Sequence, residues 1–198
     1  MFTSLATILA VAAIAAYLLK RVSSHRASRL ANATILIIRH SEKPATGRVL
    51  NKEGQARAKA YAHYFAPFYF AGQAFTVDTL IAGADSKRSI RPRQTLMPLS
   101  QAIALPINAG FGTDYSTALA QFLHKSNNGQ AILICWRHNQ MADLLTALGA
   151  DPSELLPSGK WPSDIYDWVL MLKYNSQGKL SAQQQIQQPD LLNAISAP

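Results

Sequence analysis

The sequence predicts an α/β fold in which a mostly parallel central sheet lies between two layers of helices. Three observations predict it: short apolar segments alternate with amphipathic helical segments, the apolar segments are continuous, and 48% of the 198 residues are apolar. Strands that are apolar on both sides need helices on both faces, as in parallel α/β sheets. We therefore expect a three-layer α/β/α sandwich with a sizeable core, preceded by an N-terminal apolar helix.

The N-terminal segment differs in character from the rest of the chain. Its first 19 residues carry no charge, and four basic residues follow within the next ten. A helix of about 18 residues spans roughly 27 Å, enough for a thin bilayer core. Because the basic residues follow the apolar run, we expect a single-pass anchor through residues 2–19 with the domain in the cytoplasm. A cleaved export signal is the alternative. The anchor and its basic linker are placed at residues 1–30, and the domain at 31–198.

The first half of the domain contains two predicted strands and two predicted helices. Residues 34–38 form a β-branched and aliphatic run that is typical of a buried strand. Asn51 is suited to cap the helix that follows it. Residues 77–83 form the second strand, and Arg91–Ile103 the next helix, with a proline in its first turn.

The second half continues the alternation of strands and helices. Its apolar runs and helical spacings predict two apolar strands, one polar edge strand and two further helices. In chain order we expect a helix at 114–124, a strand at 131–136, a helix at 141–148, a strand at 166–174, a turn at 175–178 and an edge strand after it.

Histidines and arginines follow the ends of the predicted strands. Arg39 and His40 come directly after the first strand, and Arg137 and His138 follow the strand that ends at Trp136. Ligands of such sheets bind beyond the carboxyl ends of the strands, and the helix that begins at Arg91 adds an anion-binding N-terminus. The sequence therefore predicts that cations and two histidines converge on one edge of the sheet.

These residue types suit the chemistry of a phosphoryl group. Guanidinium groups donate paired hydrogen bonds to phosphate oxygens, and the formal net charge of +8 favours anionic partners. A neutral imidazole among them can attack phosphorus, and nearby cations keep it neutral. Neither histidine has a partner at helical metal-ligand spacing, so we expect no metal and no cofactor. The single cysteine, Cys135, excludes a disulfide framework, and Met141 stands where a cysteine phosphatase needs its arginine.

The motifs resemble those of the histidine phosphatase superfamily, which is related to the phosphoglycerate mutases. "RHSEKP" is close to the "RHAEKP" form of that family, "RPRQT" resembles its arginine box, and "CWRHNQMADLL" resembles its second histidine motif. "WPSDIYDWVLML" is similar to the closing loop and strand of the same subgroup. The resemblance implies a phosphoglycerate mutase-like sandwich in which His40 is the nucleophile. It also implies that Arg39, Arg91 and His138 complete the phosphate pocket.

The proton donor and the rim of the pocket are less well marked. Departure of the leaving group needs a carboxylic acid, and Asp114 is preferred over Glu42 and Asp85 because it precedes a helix where the family often keeps its acid. The candidates for contact with the rest of the substrate are Arg88, Glu42 and Asn139, with a solvated helix-start charge as the alternative for Arg88.

The sequence as a whole predicts a metal-independent phosphatase that forms a phosphohistidine on His40. The expected partner is a phosphorylated small molecule or phosphoprotein, and no nucleic acid is expected. The first alternative is a phosphomutase with the same intermediate. The second is a catalytically silent, membrane-tethered module that binds phosphate.

Overall fold

The computed structural model describes residues 28–126, 128–189 and 191–192. The strands are β1 (Thr34–Arg39), β2 (Phe68–Phe70), β3 (Gln73–Phe75), β4 (Thr79–Gly83), β5 (Ile107–Phe111), β6 (Ala131–Trp136), β7 (Trp168–Tyr174) and β8 (Leu180–Gln187). The helices are α1 (Lys52–Tyr64), α2 (Arg91–Ile103), α3 (Ser116–Lys125), α4 (Met141–Ala147) and α5 (Pro152–Leu155). Two short 3₁₀ turns lie at His138–Gln140 and Pro157–Gly159.

Six of these strands form the central sheet in the order β5-β4-β6-β1-β7-β8. The four strands β5, β4, β6 and β1 run parallel, whereas β7 is antiparallel to β1 and β8 is antiparallel to β7. The prediction of an α/β fold with a mostly parallel sheet is confirmed. The register pairs Arg39 with Trp136, so β1 and β6 end side by side.

Both faces of the sheet are covered, because successive side chains of a strand point to opposite sides. On one face, Ile35 and Ile37 of β1 pack in a cluster that includes Leu119 of α3 and Leu144 of α4. On the other face, the alternate residues of β1 pack in a second cluster, with residues of α1 and α2. All six residues of β1 are buried, which explains the continuous apolar run at residues 35–38.

The observed elements differ from the predicted ones at the edges of the fold. Asn51 caps α1 as expected, since its side chain accepts a hydrogen bond from Gly54 N at 2.8 Å. The sequence did not predict β5 or the β2–β3 hairpin. Strand β5 is a partly exposed edge strand with the sequence INAGF, which lacks a continuous apolar run. Helix α3 begins at Ser116, and Asp114 lies in the turn before it.

The prediction of a membrane anchor needs correction. Across 28–126, 128–189 and 191–192, no helix has both the length and the apolar character that a membrane span requires. Helices α1 and α2 have 13 residues each, or about 20 Å, whereas a spanning helix needs about 20 apolar residues. The predicted N-terminal helix at 2–19 lies outside the described residues. The prediction of a single-pass anchor is therefore corrected: no helix of the described residues supports it, and the cytoplasmic orientation inferred from it is withdrawn.

Candidate active site

The candidate site lies where β1 and β6 end. The backbone N–H of His40 donates to the carbonyl oxygen of Trp136 at 3.1 Å, which continues the pairing of the two strands by one residue. His138 opens the 3₁₀ turn that follows β6. The centres of the His40 and His138 rings are 6.3 Å apart. Adjacent parallel strands therefore bring together two histidines that are far apart in the sequence.

His40 is buried and its tautomer is set by a backbone contact. Only 3% of the residue is exposed, and Nδ1 lies 2.7 Å from the carbonyl oxygen of Ser41. Because a carbonyl oxygen only accepts, Nδ1 carries the proton and Nε2 keeps a free lone pair. Burial lowers the pKa of His40 to about 3, and the charges of Arg39 and Arg91 act in the same direction, against the Ser41 contact. His40 is thus a neutral imidazole near pH 7.

Arg39 is fully buried and ties β1 to the loop before β7. Its Nη1 lies 3.1, 3.0 and 2.7 Å from three carbonyl oxygens, and its guanidinium carbon is 3.8 Å from the centre of the Tyr166 ring. Burial lowers the pKa of Arg39, although nearby tyrosines and carboxylates oppose the shift. The three carbonyl groups belong to Pro162, Ser163 and Ile165.

His138 is half-buried and touches the other end of the same guanidinium. Its Nδ1 lies 3.4 Å from Arg39 Nη2. Since a guanidinium only donates, Nδ1 is the acceptor and the ring proton sits on Nε2. Burial lowers the pKa of His138 to about 4, and the charges of Arg39, Lys43 and Arg91 contribute further. His138 is therefore a neutral hydrogen-bond donor, complementary to the lone pair of His40.

Arg91 begins α2 and supplies the second guanidinium. Its Nη1 donates to the carbonyl oxygen of Gly47 at 2.8 Å. Burial lowers its pKa, and the charge of Arg137 lowers it further. Thr95, one turn later, fixes the helix to the nucleophile loop: its hydroxyl accepts from Ser41 N at 2.9 Å and donates to the Arg91 carbonyl at 2.9 Å. The charge of Arg91 contributes to the lowered pKa of both histidines.

The three candidate acids have different partners. Glu42 Oε1 lies 2.7 Å from Arg57 Nη2, and Asp85 Oδ2 lies 2.7 Å from Arg93 Nη2. These are the two ion pairs of the described residues. Asp114 is exposed and accepts instead from the neutral amide of Gln140, at 2.6 Å. Because Gln140 ends the 3₁₀ turn that His138 opens, this contact fastens Asp114 to the element that carries the second histidine.

Among the described residues, two that were predicted to contact the substrate make no side-chain hydrogen bond to the site, whereas two that were not predicted to do so act on it. Arg88 and Asn139 are exposed, and neither side chain makes a hydrogen bond within the described part of the chain. Arg137 and Tyr166, which sequence reasoning treated as a strand-end cation and a packing aromatic, both act on the pocket. Arg137 lowers the pKa of Arg91, and Tyr166 stacks on Arg39. The position of Arg137 next to His138 was the available signal.

The described residues contain no group of three or more histidine, cysteine, aspartate or glutamate side chains that could hold a metal ion. Cys135 is fully buried on β6, and burial raises the pKa of its thiol. A thiol with a raised pKa is a poor nucleophile at neutral pH, so Cys135 belongs to the core and not to the site.

Comparison with known proteins places this geometry in context. Neither a family model nor a curated protein matches the sequence. The fold matches the protein histidine phosphatase SixA complexed with tungstate, at a TM-score of 0.52 and 16% identity over 78% of this chain and 96% of the other. It also matches a phosphoglycerate mutase from Plasmodium falciparum, at a TM-score of 0.52 and 14% identity over 79% and 91%.

A third structure, SixA from Agrobacterium tumefaciens, matches at a TM-score of 0.51 and 18% identity, over 77% of this chain and 98% of the other. The chain has the histidine phosphatase fold. The resemblance that the motifs predicted is thus confirmed at the level of the fold, and the match covers nearly the whole of each of these structures. The "RHAEKP" subgroup remains a prediction, because the comparisons do not test it.

Proposed function

We propose that the protein hydrolyses a phosphate monoester through a phosphohistidine intermediate on His40, without a metal ion. One observation carries the proposal. His40 is buried and neutral, its Nδ1–H donates to Ser41 O, and the charges of Arg39 and Arg91 act on it; among the described residues neither arginine has a carboxylate at ion-pair distance. A phosphoryl group is the partner that needs both a nucleophile and paired guanidinium donors.

The residues divide the reaction into two steps. Nε2 of His40 attacks phosphorus, and the bond from phosphorus to the ester oxygen breaks as the P–N bond forms. Arg39, Arg91 and the Nε2 proton of His138 stabilise the charge on the equatorial oxygens. Water then attacks phosphorus, the P–N bond breaks, and His40 leaves as a neutral imidazole that still carries its Nδ1 proton.

Asp114 is our candidate for the acid. In the first step it gives a proton to the departing oxygen, and in the second its carboxylate takes a proton from the attacking water. Its partners support this choice over the other two carboxylates. Glu42 and Asp85 each form an ion pair with an arginine, whereas Asp114 accepts, among the described residues, from the neutral amide of Gln140.

A single panel of variants tests the nucleophile and the acid together. We expect His40→Ala to lower kcat by about 10⁴-fold or more on both an alkyl phosphate and p-nitrophenyl phosphate, assayed in EDTA. Asp114→Asn should slow the alkyl ester by about 10²-fold or more. It should spare the first-turnover release of p-nitrophenol, whose leaving group needs no proton, while the later attack of water on the phosphohistidine slows for both esters. His63→Ala, which removes an exposed histidine of α1, is the matched control.

The same assay separates the alternatives. A hydrolase releases inorganic phosphate and carries acid-labile phosphate on His40 when it is quenched during turnover. A phosphomutase returns the phosphoryl group to an acceptor, so a second phosphate ester accumulates in place of inorganic phosphate. A silent binding module shows neither product. Full activity of His40→Ala contradicts the proposal.

A further inference from the structure

Arg137 and Arg48 lie on the side of the pocket that faces β4. Arg137 leaves the end of β6, and its Nη2 donates to Ser86 Oγ at 2.7 Å. Arg48 Nη2 donates to the carbonyl oxygen of the same Ser86 at 3.0 Å. Ser86 belongs to the turn after β4, which a pair of backbone hydrogen bonds with Ser89 closes. One short turn therefore holds two guanidinium groups from separate parts of the chain.

These two cations add to the charge of Arg91 without any acidic partner. Burial lowers the pKa of Arg91, and the charge of Arg137 lowers it further. The ion pairs of the described residues, Glu42 with Arg57 and Asp85 with Arg93, leave both Arg137 and Arg48 without a carboxylate. Polar oxygens of Ser86 satisfy single donors but supply no counter-charge. The cluster is therefore arranged for a ligand that brings negative charge.

The order of the strands separates this cluster from the phosphate pocket. Strand β6 lies between β1 and β4, so Arg39 and the two histidines stand over β1 and β6, and Arg137 reaches from β6 toward the β4 turn. Arg91 lies close to this cluster, since its Nη1 donates to the carbonyl oxygen of Gly47, the residue before Arg48, and its charge lowers the pKa of His40. A single phosphoryl group on His40 is already met by Arg39, Arg91 and His138, so a second cationic centre implies a second anionic group.

We propose that Arg137, assisted by Arg48, forms a second anion subsite, and that the substrate is a small phosphate ester with another phosphate or carboxylate near the scissile bond. This inference rests on the proposed function for its chemistry. Arg137 is then a residue that determines specificity, and His40 remains the reacting group. Arg137 is half-buried and Arg48 is exposed, so the subsite suits a second anionic group of the substrate that is flexible and partly solvated.

The test compares substrates that differ only in the second charge. We expect the wild-type enzyme to prefer alkane-diol bisphosphates of two to five carbons, or the matching carboxyalkyl phosphates, over alkyl monophosphates in kcat/KM. Arg137→Gln should reduce that preference by about tenfold or more through KM, since a charge-assisted hydrogen bond is lost. Arg137→Lys should restore part of it. The bisphosphate and carboxylate series show which anion the subsite takes.

Two controls separate the subsite from a structural role and from the proposed hydrolysis. Arg93→Gln removes an arginine that is already paired with Asp85, so the preference should remain. Binding of a bisphosphate and a monophosphate to the His40→Ala protein, measured by calorimetry, tests the subsite even where no ester is hydrolysed. A wild type with no preference for the second anion, or an Arg137→Gln variant that weakens both ligands equally, overturns the inference.

Discussion

Arg91 and Arg93 stand two residues apart at the start of α2 and have opposite surroundings. Arg93 is exposed and donates twice to Asp85, at 3.0 and 2.7 Å. Arg91 turns to the pocket, where it meets the Gly47 carbonyl and no carboxylate among the described residues. The helix therefore presents one arginine that is neutralised by its own chain and one that is left for a ligand.

The same division recurs at the loop after β1. Arg39 is buried and has no carboxylate partner among the described residues. Glu42, which lies only two positions after His40, binds Arg57 of α1 instead. Glu42 and Asp85 thus neutralise arginines outside the pocket, and the arginines inside it have no carboxylate partner among the described residues. Uncompensated cations disfavour a further positive charge, which is part of the reason that both histidines stay neutral.

The largest expected effect is on the free energy of unfolding, when Arg57 of the Arg57–Glu42 ion pair is replaced. The side chains of Arg57 and Glu42 are only 10% and 15% exposed. Arg57→Met should therefore lower the free energy of unfolding by about 3 to 5 kcal/mol, because Glu42 is left buried without its cation. Denaturant unfolding measures this. Adding Glu42→Gln should recover most of the loss, and a double variant as unstable as the single one contradicts the assignment.

The next effect distinguishes the two arginines of α2. Arg91→Lys should cost about 2 to 4 kcal/mol of transition-state stabilisation, since an ammonium group cannot donate two parallel bonds to a phosphoryl group. The value follows from kcat/KM on an alkyl phosphate. Arg93→Lys is the matched control, because an exposed ion pair contributes only about 0 to 1 kcal/mol. The opposite ranking of the two variants would show that the phosphate arginine is misplaced.

A smaller expected effect is a pH dependence of stability that follows from the lowered pKa of His40. The folded pKa of His40, about 3, lies below its ordinary value of 6.5, so below that value the unfolded chain binds a proton that the folded chain does not. The free energy of unfolding should then fall as pH falls. Between about pH 6.5 and about pH 5, the decrease should be about 1.5 kcal/mol smaller for His40→Gln than for the wild type. Urea unfolding at both pH values checks this. Parallel curves for the two proteins would contradict a depressed pKa.

Features that depend on near neighbours in the chain could be predicted from the sequence. The continuous apolar run of β1 predicted a strand buried on both faces, Asn51 predicted the start of α1, and Arg91 stands at the start of α2 as expected. These features follow from side-chain periodicity and from contacts over a few residues, which a local pattern records. The placement of His40 after a buried strand belongs to the same class.

Which charged groups lie close together depends on the three-dimensional fold. Arg39 binds the Pro162 carbonyl, 123 positions away, and Arg137 binds Ser86, 51 positions away. The strand order β4-β6-β1, the reversed direction of β7 and the edge position of β5 set these distances. The partners of Glu42, Asp85 and Asp114 could not be predicted either, because sequence spacing does not show which carboxylate forms an ion pair with an arginine. Electrostatic effects depend on separation in space and on burial, and a linear pattern contains neither.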